Sequence, residues 1–213
     1  QIQLVVSPYD VRQGGFSGGG INAVTKSGSN QYSGSAFYFG RNQDWIGKGI
    51  TDTAVANFKD QQMGFTVGGR LVENKAFFFG SADWGRRETP TGFCITGCGQ
   101  EFAGAPADVA RFFSILESKY GYSVPNAQET FSRTTNSDKF LGKIDVNLNN
   151  QHRLTVRHNY VDGLNDIGGT SRTAYTTPDG FYRIQSKTNA SVVQLNSTLG
   201  NAVNELRVSY TRV

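Results

Sequence analysis

The residues most able to do chemistry stand in a few small groups. Gly15-Phe16-Ser17-Gly18-Gly19 fits G-x-S-x-G, the pattern that exposes a serine hydroxyl on a strained turn between a strand and a helix in serine hydrolases. Asp145 and His152 follow in a chain order that such a triad permits. The elbow needs a helix directly after its serine, however, and Ile21-Asn22-Ala23-Val24-Thr25 is strand-like instead. Flexible glycine explains the match better than a nucleophile, so no enzyme is expected and no catalytic residue is assigned. His152 and His158, the only histidines, are six apart on one strand face, about 20 Å along a strand, and cannot share a metal; turn and interface positions are expected for them. Asp162-Gly163-Leu164-Asn165-Asp166 is acidic but lacks the calcium-loop pattern, and is expected to be a solvated loop. Cys94 and Cys98 stand in a Cys-Ile-Thr-Gly-Cys run with no second Cys or His pair nearby. Zinc is poorly supported, and a small disulfide in an oxidising compartment is expected ahead of two free thiols. Asn189-Ala190-Ser191 and Asn196-Ser197-Thr198 fit the glycosylation sequon but fall at or in a predicted strand and are taken as chance. No cofactor or metal site is expected.

What remains is the pattern that must carry these residues. The chain of 213 residues has 26 glycines and 26 aromatics (15 Phe, 9 Tyr, 2 Trp), with 37% hydrophobic and 18% charged residues. Aromatic content this high argues against disorder. No stretch approaches the roughly 18 apolar residues of a membrane helix. The net charge of +4 is scattered, with no block of four Lys or Arg, so a nucleic-acid partner is not expected. A soluble all-β domain and a barrel with strands apolar on one face both remain.

Period-two alternation decides between helix and strand. Phe140, Gly142, Ile144, Val146 and Leu148 share one face of a segment, and Leu141, Lys143, Asp145 and Asn147 the other. Leu154, Val156, His158 and Tyr160 alternate with Arg153, Thr155, Arg157 and Asn159 in the next, and only Asn149-Asn150-Gln151 separates the two, predicting a hairpin. Further hairpins are predicted for Gln62 to Leu71 with Ala76 to Trp84, and for Ser191 to Leu199 with Glu205 to Arg212. With Tyr32 to Arg41 these make seven strands, joined alternately by long and short connections. The long loops are predicted at about 42–61, 85–138 and 163–190, all at one end of the sheet. That alternation is the mark of an outer-membrane barrel with short turns on one side and long loops on the other. Tyr38, Phe39, Phe77, Phe78, Phe79, Trp84 and Tyr160 are placed as girdle or lipid-facing aromatics. A helix is predicted from Pro106 to about Gly121, where Val109, Phe112, Phe113, Leu116 and Tyr120 recur near helical spacing. The fold class is therefore all-β, an antiparallel meander forming part of a transmembrane barrel, with one short loop helix.

The first thirty residues differ in kind. Gly14, Gly15, Gly18, Gly19 and Gly20 fall within seven residues, permit positive φ, and read as hinge glycines. The run from Gly18 through Ile21-Asn22-Ala23-Val24-Thr25-Lys26 to Asn30 resembles the end of the plug domain of TonB-dependent outer-membrane receptors. Ser7-Pro8-Tyr9-Asp10-Val11-Arg12 with Phe16-Ser17-Gly18-Gly19 is similar to the Oar-like branch, as are Gly64 to Gly80 and Phe140 to Arg157. The resemblance implies a plug end over residues 1–29 and the first seven strands of an incomplete barrel over 30–213. It implies a bacterial outer-membrane location and uptake of a scarce solute, such as a metal chelate, cobalamin, glycan or peptide. Its partners would be outer-membrane lipid and an inner-membrane TonB complex reached through a part of the receptor absent from this segment. Lys143, Asp145, Arg157 and Arg207 are expected to face the lumen and plug, and Phe140, Ile144, Val146, Val156, Leu206 and Val208 to face lipid. An outer-membrane structural, adhesion or export component of the same architecture is the alternative. A soluble β-sandwich lectin is a third.

Overall fold

A computed structural model describes residues 2–6, 19–47, 57–90, 93–95, 101–123 and 132–213. A two-stranded antiparallel sheet comes first, pairing β1 (Ile2–Val6) with β2 (Gly19–Ala23). Then follow β3 (Ser33–Asn42), β4 (Lys59–Val72), β5 (Ala76–Pro90), β6 (Ser132–Asn147), β7 (His152–Ile167), β8 (Tyr182–Leu199) and β9 (Ala202–Arg212). These seven form one antiparallel sheet in sequence order, with β3 and β9 at its open edges. The predicted meander is the observed one.

Each short turn has a local cause. Between β4 and β5, the Lys75 N–H donates to the Val72 carbonyl at 3.1 Å, and Asn74 takes the left-handed conformation (φ 57) that asparagine tolerates. Between β6 and β7, the Asn149 side-chain oxygen accepts from the N–H groups of Gln151 and His152 at 2.9 and 2.8 Å, an Asx turn. Between β8 and β9, only Gly200 (φ 61) and Asn201 separate the paired Leu199 and Ala202. That turn is shorter than the predicted 200–204, and β9 begins earlier accordingly.

Continuous register aligns residues in rows across the sheet. On one face lie Val146, Leu154, Leu195 and Leu206, then Phe78, Ile144, Val156, Val193 and Val208. Above these come Val67, Gly80, Gly142, His158, Ser191 and Tyr210, then Phe65, Ala82, Phe140 and Tyr160. Trp84 packs between Phe65 and Phe140, at ring separations of 5.9 and 5.5 Å. Ten residues separate Leu148 from Asp138, about 33 Å of strand, or about 25 Å of height at a tilt near 40°. Above this band the same face carries ion pairs, Lys187 with Asp162 at 3.5 Å, Arg183 with Asp166 at 2.7 Å, and Arg86 with Asp138.

The predicted long loops need correction at their ends. β4 starts at Lys59, β5 runs on to Pro90, β6 starts at Ser132, β7 runs on to Ile167 and β8 starts at Tyr182, so each loop is shorter than 42–61, 85–138 or 163–190. Ser132-Arg133-Thr134-Thr135-Asn136-Ser137-Asp138 has no apolar face and so gives no alternation to read; backbone pairing and cross-strand charge pairs carry the sheet there. For the same reason Asp162 to Asp166 belongs to β7, not to a solvated loop. Phe39, Phe77 and Phe79 also depart from the girdle placement, since register puts them on the face opposite Tyr38, Phe78, Trp84 and Tyr160. Gly68 opens the space beside the Phe79 ring, and Gly64 the space beside Phe37.

The loop after β5 holds α1 (Pro106–Tyr120), as predicted. Proline stands in its first turn with Asp108, and Gly121 (φ 63) ends it, its N–H donating to the Glu117 carbonyl at 3.0 Å while the Tyr122 N–H donates to that of Leu116 at 3.2 Å. The loop after β7 meets this one. Tyr175 packs against Phe102 and Phe113 at 6.1 and 5.7 Å, the Ala103 N–H donates to the Arg172 carbonyl at 2.8 Å, and the Tyr122 hydroxyl donates to Asp179. Cys94 is disulfide-bonded; Cys98, the one other cysteine in the sequence, lies outside the described residues.

Candidate functional site

The distinctive site is where the segment after β2 crosses the polar face of the sheet before entering β3. Lys143 donates to the Ser27 hydroxyl at 2.8 Å. Gly28 lies so close to the sheet that an added Cβ would stand 2.6 Å from the Gly69 carbonyl oxygen and closer still to that of Phe78. Glycine is the residue that permits this backbone approach. Asn30 and Asn74 then exchange hydrogen bonds, the Asn74 N–H donating to the Asn30 side-chain oxygen at 2.8 Å and the Asn30 amide to that of Asn74. The linker is thereby held from β6 to the β4–β5 turn.

Beneath it is a grid of side chains, polar but for Val192, set by register: Lys143, Arg157, Val192 and Ser209 in one row, Asp145, Thr155, Gln194 and Arg207 in the next, and Asn147, Arg153, Asn196 and Glu205 in the third. Asp145 is only 2% exposed, the most buried large side chain among the described residues. It accepts from Thr155 at 2.7 Å and pairs with Lys143 at 3.5 Å and Arg153 at 3.2 Å. A carboxylate taken out of water persists only with such compensation. Arg207 pairs with Glu205 at 2.8 Å. The opposite face is the inverse: Leu206 is 58% and Val208 62% exposed. A sheet that buries its carboxylate and bares its leucine and valine is built to stand between an enclosed polar interior and an apolar solvent.

Of the residues singled out in the sequence, Lys143, Asp145, Arg157 and Arg207 therefore share the face that the linker crosses, while Phe140, Ile144, Val146, Val156, Leu206 and Val208 share the other. Gly19 and Gly20 stand inside β2, paired with Val6 and Val5, which makes them strand residues and not a hinge. Gly14, Gly15, Gly18 and Ser17 lie outside the described residues. His152 and His158 lie on the apolar face, each with a separate partner, Nδ1 standing 2.8 Å from the hydroxyls of Ser197 and Ser191 respectively. Among the described residues no group of three His, Cys, Asp or Glu is placed to hold a metal, and no helix is long and apolar enough to cross a membrane, which does not bear on strands. Arg153 and Thr155 belong to the site although not singled out; their alternation with Leu154 and Val156 is the signal that finds them. Nothing in the alternation points to Ser27.

An open meander with one apolar face about as tall as a bilayer's hydrocarbon band, short turns at one end and long loops at the other, defines a piece of an outer-membrane barrel wall. Residues 24–97 match the family model described as an outer membrane beta barrel domain. Searches of curated proteins and of solved structures return no match. The chain is that of an outer-membrane protein with β-barrel architecture.

Proposed function

We propose that this chain forms the junction between plug and wall, and the first seven wall strands, of a TonB-dependent receptor that imports a scarce solute across the outer membrane. The observation that carries the reading is the linker: a segment leaves a small separate sheet, crosses the polar face of the wall and only then becomes its first strand. A barrel with no internal domain has no use for such an arrangement. In this reading the face bearing Lys143, Asp145, Arg157 and Arg207 is the lumen, the face bearing Ile144, Val156 and Val208 meets lipid, and β1 with β2 is the last part of the plug. An energised inner-membrane TonB complex would act on the plug, and the solute would be a metal chelate, cobalamin, a glycan or a peptide. The likeness of Ser7-Pro8-Tyr9-Asp10-Val11-Arg12 and the glycine run to the Oar-like branch supports the finer placement.

The test is retention of the soluble periplasmic domain of TonB by the full-length protein in detergent. Retention is expected, with loss when the residues before the plug are removed. Absence of retention by a protein whose barrel is folded, judged by heat-modifiable migration on gels, overturns the TonB reading in favour of a structural, adhesion or export role.

A further inference from the structure

Beside the linker, the polar rows of β6, β7, β8 and β9 line a half-open cavity of about 600 Å³, within the range of small-molecule sites. Its charge is unbalanced. Lys143, Arg153, Arg157 and Arg207 line it against one lining carboxylate, Asp145, which is already shared between Lys143 and Arg153. Arg207 turns to Glu205. Arg157 is different: among the described residues its guanidinium has neither an ion pair nor a hydrogen bond. Ser209, Gln194, Asn196 and Thr155 are among its neutral donors and acceptors, and Val24 and Val192 are its apolar members. A guanidinium presents five N–H donors in a planar fork that matches the two oxygens of a carboxylate or phosphate. Hydroxyl and amide donors beside it supply the remaining contacts such an oxyanion needs. The surplus of positive charge disfavours a cation, and the polar lining disfavours an apolar guest.

We propose that this cavity is an oxyanion-binding site, which takes the carboxylate or phosphate group of a small solute on Arg157 with help from Arg207 and Ser209. It lies near the end of the sheet with the short turns, because its rows are the last on β6 before the turn at 148–151. The site does not depend on energised uptake, so its test and that of the TonB reading fail separately.

The test is calorimetric titration of the full-length protein in detergent, at low salt, with citrate and separately with inorganic phosphate. Saturable binding of at least one is expected, and the one preferred tells a carboxylate site from a phosphate site. Arg157→Gln should weaken it at least tenfold, Arg157→Lys should leave an intermediate affinity, and Arg183→Gln, on the apolar side's ion-paired rim, should leave it unchanged. Arg207→Gln reads the same cavity from another strand and should also weaken binding if Arg157→Gln fails to assemble. No saturable binding of either anion, or equal affinity in wild type and the assembled Arg157 or Arg207 variants, overturns the proposal.

Discussion

The two faces of the same seven strands obey opposite rules. On the apolar face, position matters and identity hardly does: Val146, Leu154, Leu195 and Leu206 form one row and Ile144, Val156, Val193 and Val208 the next, and any of these aliphatic types satisfies an apolar solvent. On the polar face identity matters as much as position. Asp145 works because Thr155, Lys143 and Arg153 surround it, and exchanging any of the four breaks a specific bond. The difference teaches that one face is specified by a class of residue and the other by partners.

That contrast can be broken in order of expected effect. Val156→Arg, near mid-height of the apolar face, should cost about 2–4 kcal/mol of barrel stability, read from the urea midpoint of the full-length protein in lipid. Val146→Arg stands closer to the turn end and should cost less. Equal cost at both would mean that the apolar face does not meet a bilayer. Asp145→Ala should cost about 1–3 kcal/mol, because it strands Thr155 and two cations on the polar face. Asp145→Asn, which keeps an acceptor for Thr155, should recover part of that loss, and no recovery would show that charge alone mattered. Asn147→Ser should cost about 0.5–1.5 kcal/mol, since the Asn147 amide donates to the Asn74 carbonyl at 3.2 Å.

The smallest effect is in the loops. The hydrogen bond from Tyr122 to Asp179 raises the Tyr122 pKa above its ordinary value near 10. Stability from this contact is fully present below that ordinary value and is lost as pH rises through the raised one. Ultraviolet titration should show one tyrosine of the wild type ionising at lower pH in Asp179→Asn; superimposable curves would mean the bond does not form in solution. Burial raises Tyr175 in the same direction, and that shift should survive Asp179→Asn.

Legibility followed the solvent. Between Phe140 and Leu148, and between Arg153 and Tyr160, apolar and polar residues alternate because two different media face the strand, and the sequence records both. Beyond them, Ser132 to Asp138 is polar on both faces and Tyr182 to Thr188 has only Tyr182 and Ile184 as apolar residues, so the alternation fades while the backbone pairing continues. Phe77, Phe78 and Phe79 show the same limit from the other side: three adjacent aromatics cannot all share a face, and register sends Phe78 one way and its neighbours the other. The glycine run suggests flexibility, yet Gly19 and Gly20 pair in a strand, because a residue without a side chain is compatible with either state.

The sequence by itself determined the existence and order of the seven strands, the loop helix, the order of long and short connections, and the two faces of a strand wherever apolar and polar residues alternate along it. Those properties are local, written in a period of two or in turn chemistry within a few residues. Tertiary structure alone decided where the linker lies, that Ser27 reaches Lys143, that Gly28 rests against the backbone of Gly69, and that the Arg157 side chain, beside a cavity, pairs with no other side chain among the described residues. Those contacts join residues far apart in the chain, and their energies depend on distances that no spacing in the sequence encodes.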